Sequence, residues 1–191
     1  LGLDFHIGFG PELDARVADM ISAPLLDLPA DHPMAKVFAD PASMNFKAFN
    51  ISLDSMTTPG FMNTREWRAV EIPAANGHGN ARALARVYGA LARGGELDGV
   101  RVLSQSAIER ATVEQSYGPD AILLMPSRFG LGFMLDDPEL RLTPNATLFG
   151  HAGLGGSLGF ADPEVRIGFG YTMNKMIFSM DLLDTRWKPL I

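Results

Sequence analysis

The chain has 191 residues, 47% hydrophobic and 20% charged, with a net charge of −6 and no cysteine. This is the composition of one ordinary globular domain, or of a large part of one; it excludes a disulfide framework, a thiolate metal site and a thiol nucleophile. With no block of Lys or Arg, nucleic acid and anionic membrane surfaces are poor partners, and a small neutral ligand is the better expectation.

His6, His32, His78 and His151 are scattered without metal-ligand spacing, so neither metal nor cofactor is expected. No apolar run is long enough to cross a bilayer and no basic-then-apolar signal opens the chain, which is expected to be soluble and cytoplasmic. Leu1-Gly2-Leu3-Asp4 reads like the interior of a domain and Ile191 stops within an amphipathic pattern, so a fragment is expected.

Along the chain, Pro11 followed by Glu12 and Asp14 predicts a helix start. Four prolines, Pro24, Pro29, Pro33 and Pro41, then punctuate an irregular stretch; residues 23–70 are expected to form an irregular, partly helical segment covering a cleft. Its apolar residues, Met34, Phe38, Met44, Phe46, Phe49 and Met56, are expected to pack beneath it, with a short helix near Ser43 to Phe49. Asn76-Gly77-His78-Gly79-Asn80 reads as a turn.

The firmest helix runs from Ala81 to Arg93, with Asn80 as cap, Gly94-Gly95 as stop, and Leu84, Val87, Tyr88 and Leu91 on its core face. A turn at Asp98-Gly99 leads to a second helix, capped by Ser104 or Ser106 and reaching about Gln115. Alternation of Phe129, Leu131, Phe133 and Leu135 predicts a half-buried strand. Two further strands, Leu148–Ala152 and Ser157–Ala161, flank a glycine-rich stretch; Asp162-Pro163-Glu164 turns the chain into a returning strand from Val165 to Met173, and a closing helix is expected near Ser179 or Asp181. Helices, then antiparallel strands, then a helix predict an α+β fold.

One ionisable residue, His151, sits among Gly150, Gly153, Gly155, Gly156 and Gly159, a stretch that reads as bare backbone against which a substrate could lie. The same stretch holds Gly155-Gly156-Ser157-Leu158-Gly159, a formal nucleophile-elbow match. An elbow needs a strand turning into a helix and a histidine later in the chain; here a strand hairpin follows and no histidine lies downstream, so Ser157 is expected to be structural.

The triplet His151-Ala152-Gly153, the following Gly155-Gly156, the Asp162-Pro163-Glu164 hairpin, the run Gly168 to Met176, and the upstream segment Ala81 to Ser104 together resemble the serine β-lactamase-like hydrolases, with family VIII carboxylesterases and class C β-lactamases as the nearest look-alikes. The resemblance covers nearly the whole chain. It implies a β-lactamase/transpeptidase-like α+β fold, an antiparallel sheet flanked by helices, incomplete in this chain. It also implies an acyl-enzyme mechanism built on Ser-x-x-Lys, Tyr-x-Asn and a third strand element. His151-Ala152-Gly153 fits the third; no serine here has lysine three positions later and no tyrosine has asparagine two later.

Residues 1–191 are therefore expected to be the carboxyl-terminal portion of such a hydrolase, whose partners are a small ester and the amino-terminal portion of the same enzyme. By the resemblance, His151 faces the cleft, the Leu154 N–H is one oxyanion donor, and Ala152, Gly153 and Gly155 border the acyl group. Removing an oxyanion donor typically costs about 3–4 kcal/mol in barrier. Histidine where lactamases have lysine trades a fixed ammonium for an imidazole with an ordinary pKa of about 6.5, which favours neutral esters over anionic lactams. A catalytically inactive binding module, a β-lactam hydrolase and a Ser157 hydrolase are the alternatives.

Overall fold

The computed structural model describes residues 1–21, 36–37, 39–48, 58, 60–138, 141–177 and 186–191. His32, Met34, Phe38, Phe49, Met56 and the expected closing helix near Ser179 or Asp181 lie outside these residues.

The amino end is a strand, β1 (Phe5–Ile7), followed by a 3-10 segment, Pro11–Arg16, in place of the expected helix. No side chain caps that segment and Val17 leaves it in extended geometry, so only about two turns of 3-10 helix form. After the short helix α1 (Arg65–Ala69), residues expected to turn instead form a strand, β2 (Gly77–Gly79), paired antiparallel with β1 so that His6 lies opposite His78. Met44, expected to pack inward, is exposed; its neighbour Asn45 is buried and donates to the Ile122 carbonyl at 2.5 Å.

Helix α2 (Ala81–Ala92) forms as the sequence predicts, with the Asn80 side chain accepting from the Ala83 N–H. It ends in paired bonds from Gly95 N to Ala90 O (2.8 Å) and Gly94 N to Leu91 O (3.2 Å), the Schellman arrangement. Asp98 and Gly99, both at positive φ, join β3 (Glu96–Leu97) to β4 (Val100–Arg101). Helix α3 (Gln105–Ala111) starts on the Ser104 cap but stops before the expected Gln115, because the chain turns to add a strand, β5 (Ser116–Pro119), to the sheet.

The strand expected across Phe129–Leu135 is split into β6 (Pro126–Phe129) and β7 (Met134–Leu135). A side chain at Gly130 would collide with the Ala111 carbonyl, Gly132 adopts φ +85°, and Gly130 N reaches back to Phe133 O at 2.9 Å. Alternation therefore reported two arms of a hairpin as one strand.

Three further strands complete the sheet: β8 (Phe149–Ala152), β9 (Leu158–Asp162) and β10 (Ile167–Tyr171). The six strands run in the order β10-β9-β8-β7-β6-β5, and all five neighbouring pairs are antiparallel. The chain is α+β, as expected.

Each face of the sheet carries its own core. On one face Leu91 and Ala92 of α2 and Ile108 of α3 pack against Phe149 and Ala161. On the other, Leu158, Phe160 and Leu148 surround the buried Trp187, with Phe160 stacked on Phe169. Helix α2 lies unusually close to β9 and β10, since Cβ atoms at Gly168 and Gly170 would strike its backbone and one at Gly159 would strike Tyr88.

Candidate active site

Strand β8 alternates between the two cores. Phe149 is buried on the α2 face, Gly150 opposes Phe160 on the other, and His151 emerges exposed near the strand end, opposite Gly159. The His151 ring sits 5.8 Å from that of Phe129, and its Nδ1 lies 2.6 Å from the Ala152 carbonyl. A carbonyl only accepts, so Nδ1 carries a proton and Nε2 is the nitrogen left outside that bond. His151 and Ala152 border a cavity walled by Met134, Leu148, Leu158, Phe160 and Trp187, and the His151 side chain is exposed.

Past Ala152 the chain makes a tight turn. Gly153 N donates to Ser157 O (2.7 Å) and Gly156 N to Gly153 O (3.0 Å), while Gly155 holds φ +89°, the geometry glycine supplies at the third position of such a turn. Leu154 is exposed at the crest, and its N–H donates to no atom of the described residues. The turn thus leaves the Leu154 N–H unpartnered at an exposed position close in sequence to His151.

The glycines around the motif also answer to packing. A Cβ at Gly153 would collide with Ser157 Oγ, one at Gly155 would press on Met176 and Met173, and Gly159 seats Tyr88. Ser157 leads into β9, a strand, so the strand-to-helix context of a nucleophile elbow is absent.

The loop is buttressed from behind. The buried Gly155 carbonyl accepts from Ile177 N (3.0 Å) and from Arg186 Nη2 (3.0 Å), and Arg186 Nη1 also donates to Lys175 O (2.6 Å) with its Cζ 5.9 Å from the Tyr171 ring. Sequence reasoning does not reach Arg186: a lone arginine before Trp187 carries no signal of contact with a loop 31 residues away. Nor does it reach Asp136, which is buried in the cavity wall. Neither Asp136 carboxylate oxygen has a hydrogen-bond partner among the described residues; Arg141 Nε approaches to 3.5 Å, and burial raises the carboxyl pKa.

His78 belongs to a different environment. Its Nδ1 bonds the Asn76 carbonyl (2.7 Å), its ring meets Phe9 edge-on, and burial, with the nearby Arg68 and Arg65, lowers its pKa. Among the described residues no cluster of three or more metal-ligating side chains occurs, and no helix is long and apolar enough to cross a membrane.

The α+β fold, an antiparallel sheet with a helix laid on one face, is that of β-lactamase-like proteins, as comparison with solved structures shows. The Beta-lactamase family model matches residues 3–188, and the chain belongs to that family. It is 36% identical over 185 residues to the esterase/beta-lactamase LipL of Mycobacterium tuberculosis, covering 94% of this chain and 41% of that protein. A crystal structure of a family VIII carboxylesterase superposes with a TM-score of 0.73 at 36% identity, over 93% of this chain and 42% of that one. A penicillin-binding protein homolog from Caulobacter crescentus gives 0.71 at 38% identity, over 92% of this chain and 44% of that one. The chain spans about two-fifths of the length of these relatives.

Proposed function

We propose that this chain is the carboxyl-terminal portion of a serine hydrolase that cleaves carboxylic esters through an acyl-enzyme, with the nucleophile Ser-x-x-Lys and the Tyr-x-Asn element on polypeptide outside residues 1–191. The observation that carries this reading is the pairing of an exposed imidazole, His151, with an outward, unpartnered Leu154 N–H at one strand end. In an acyl transfer the carbonyl oxygen gains charge as the nucleophile adds. A fixed backbone donor aimed at that oxygen stabilises the transition state more than the ester.

On this reading Leu154 supplies one donor and the nucleophile's own N–H the second. His151 Nε2 faces the substrate, and the backbone of Ala152, Gly153 and Gly155 forms the edge along which the acyl group lies. Relatives named as an esterase/beta-lactamase and as a family VIII carboxylesterase support the ester class. A neutral imidazole holds a substrate carboxylate less firmly than an ammonium would, so neutral esters are favoured over anionic lactams.

Treatment with a fluorophosphonate, followed by peptide mapping, tests the assignment. The 191-residue chain alone should take no label, whereas the longer polypeptide should be labelled at a serine with lysine three positions on. Label on Ser157 would overturn the reading, and a longer polypeptide that takes none would favour a binding module with the same groove.

A further inference from the structure

We infer that Arg186 is a positioning residue that orients and polarises the Leu154 N–H through two intervening peptide groups. This rests on the reading of Leu154 as an oxyanion donor. The Gly155 carbonyl and the Gly156 N–H belong to one peptide unit, as do the Gly153 carbonyl and the Leu154 N–H. Arg186 Nη2 donates to the first carbonyl at 3.0 Å, and the N–H of that same unit donates to the second carbonyl at 3.0 Å. The end of the series is the free Leu154 N–H.

Each peptide is planar and trans, so its C=O and N–H point in opposite directions, and fixing one fixes the other. Anchoring the Gly155 oxygen therefore sets the Gly156 N–H, which holds the Gly153 oxygen and turns the Leu154 N–H outward. Arg186 is itself held, by the Lys175 carbonyl at 2.6 Å and beside the Tyr171 ring. Ile177 N takes the other lone pair of the Gly155 oxygen at 3.0 Å.

The chain of bonds carries charge as well as direction. A guanidinium donor polarises the first carbonyl, and hydrogen bonds in series strengthen one another by about 10–30% per bond. Gly155 is buried and Arg186 half-buried, so bulk water screens the first link only in part. The donor at the far end is left more acidic than an isolated amide, which matters only when an oxyanion forms. Arg186 thus acts on the transition state while touching no substrate.

The test is steady-state hydrolysis of 4-nitrophenyl acetate by the complete enzyme carrying Arg186→Lys, Arg186→Gln or Arg186→Ala, with His151→Ala alongside. In Arg186→Ala, kcat should fall about 10-fold or more with KM within about 2-fold of the parent, a fraction of the effect of deleting a donor outright. The order of kcat should be Lys, then Gln, then Ala, because Lys keeps the charge and Gln only a donor.

Equal kcat across the series, with only thermal midpoints moving, would show a purely structural clamp and overturn the inference. Should Arg186→Ala not fold, the Lys and Gln variants decide it: Gln below Lys supports the inference, and parity overturns it. Parental kcat in His151→Ala would sink the esterase reading and this inference with it. Loss of activity in His151→Ala beside an unchanged Arg186 series would sink this inference alone.

Discussion

His151 and Asp136 show how environment, more than residue type, decides what an ionisable side chain does. His151 is exposed, with Nδ1 tied to the Ala152 carbonyl, and its free nitrogen is available for chemistry. Asp136 is buried in the wall of the neighbouring cavity, its carboxylate oxygens without hydrogen-bond partners among the described residues. Burial raises its pKa, so the folded state binds that proton more tightly than the unfolded chain does. The stability contributed is therefore fully present below the ordinary carboxylate pKa and is lost as pH rises through the folded value.

Asp136→Asn should accordingly stabilise the fold by about 1 kcal/mol at about pH 7, and the gain should vanish towards about pH 4. Arg141 loses an ion-pair partner in that variant. It is nearly half exposed and 3.5 Å away, so the pair contributes little. Thermal midpoints of the two proteins at both pH values check the sign. A less stable variant at neutral pH would mean that the ion pair outweighs the desolvation cost.

At the scale of elements, α2 and the hairpin β9–β10 hold the site strand in place. Gly159, Gly168 and Gly170 open a floor into which the helix settles, and Tyr88 fills the gap directly across from His151. Gly168→Val would drive two methyl groups into the Gly89 amide and the Ala85 carbonyl, which are backbone atoms with no rotamer to yield. The expected cost is about 3 kcal/mol, at the upper end for overpacking, read as a lower midpoint in denaturant. A variant within a few tenths of the parent would show that the helix can shift.

The same elements show what the sequence could and could not disclose. Asn80 and Gly94-Gly95 marked α2 because capping is local chemistry, written in consecutive residues. The His151-Ala152-Gly153 motif was legible for the same reason. Gly130 and Gly132 were not legible as a turn, because their need for glycine comes from the Ala111 carbonyl and from a positive φ that alternation does not register. The role of Gly159 as a seat for Tyr88, the pairing of β1 with β2 and the reach of Arg186 to Gly155 join residues far apart in the chain, and no local pattern encodes them.

For the whole molecule, the chain belongs to the Beta-lactamase family and spans about two-fifths of the length of its relatives. In the proposed mechanism, an acyl-enzyme formed on a serine outside this chain places its oxyanion beside a donor within it, the exposed Leu154 N–H, which has no acceptor among the described residues. A crystal structure of the fluorophosphonate adduct of the complete polypeptide measures that placement. The account predicts a phosphonyl oxygen about 2.9 Å from Leu154 N, with His151 bordering the adduct. An adduct on Ser157, or a phosphonyl oxygen bound away from Leu154, would contradict it.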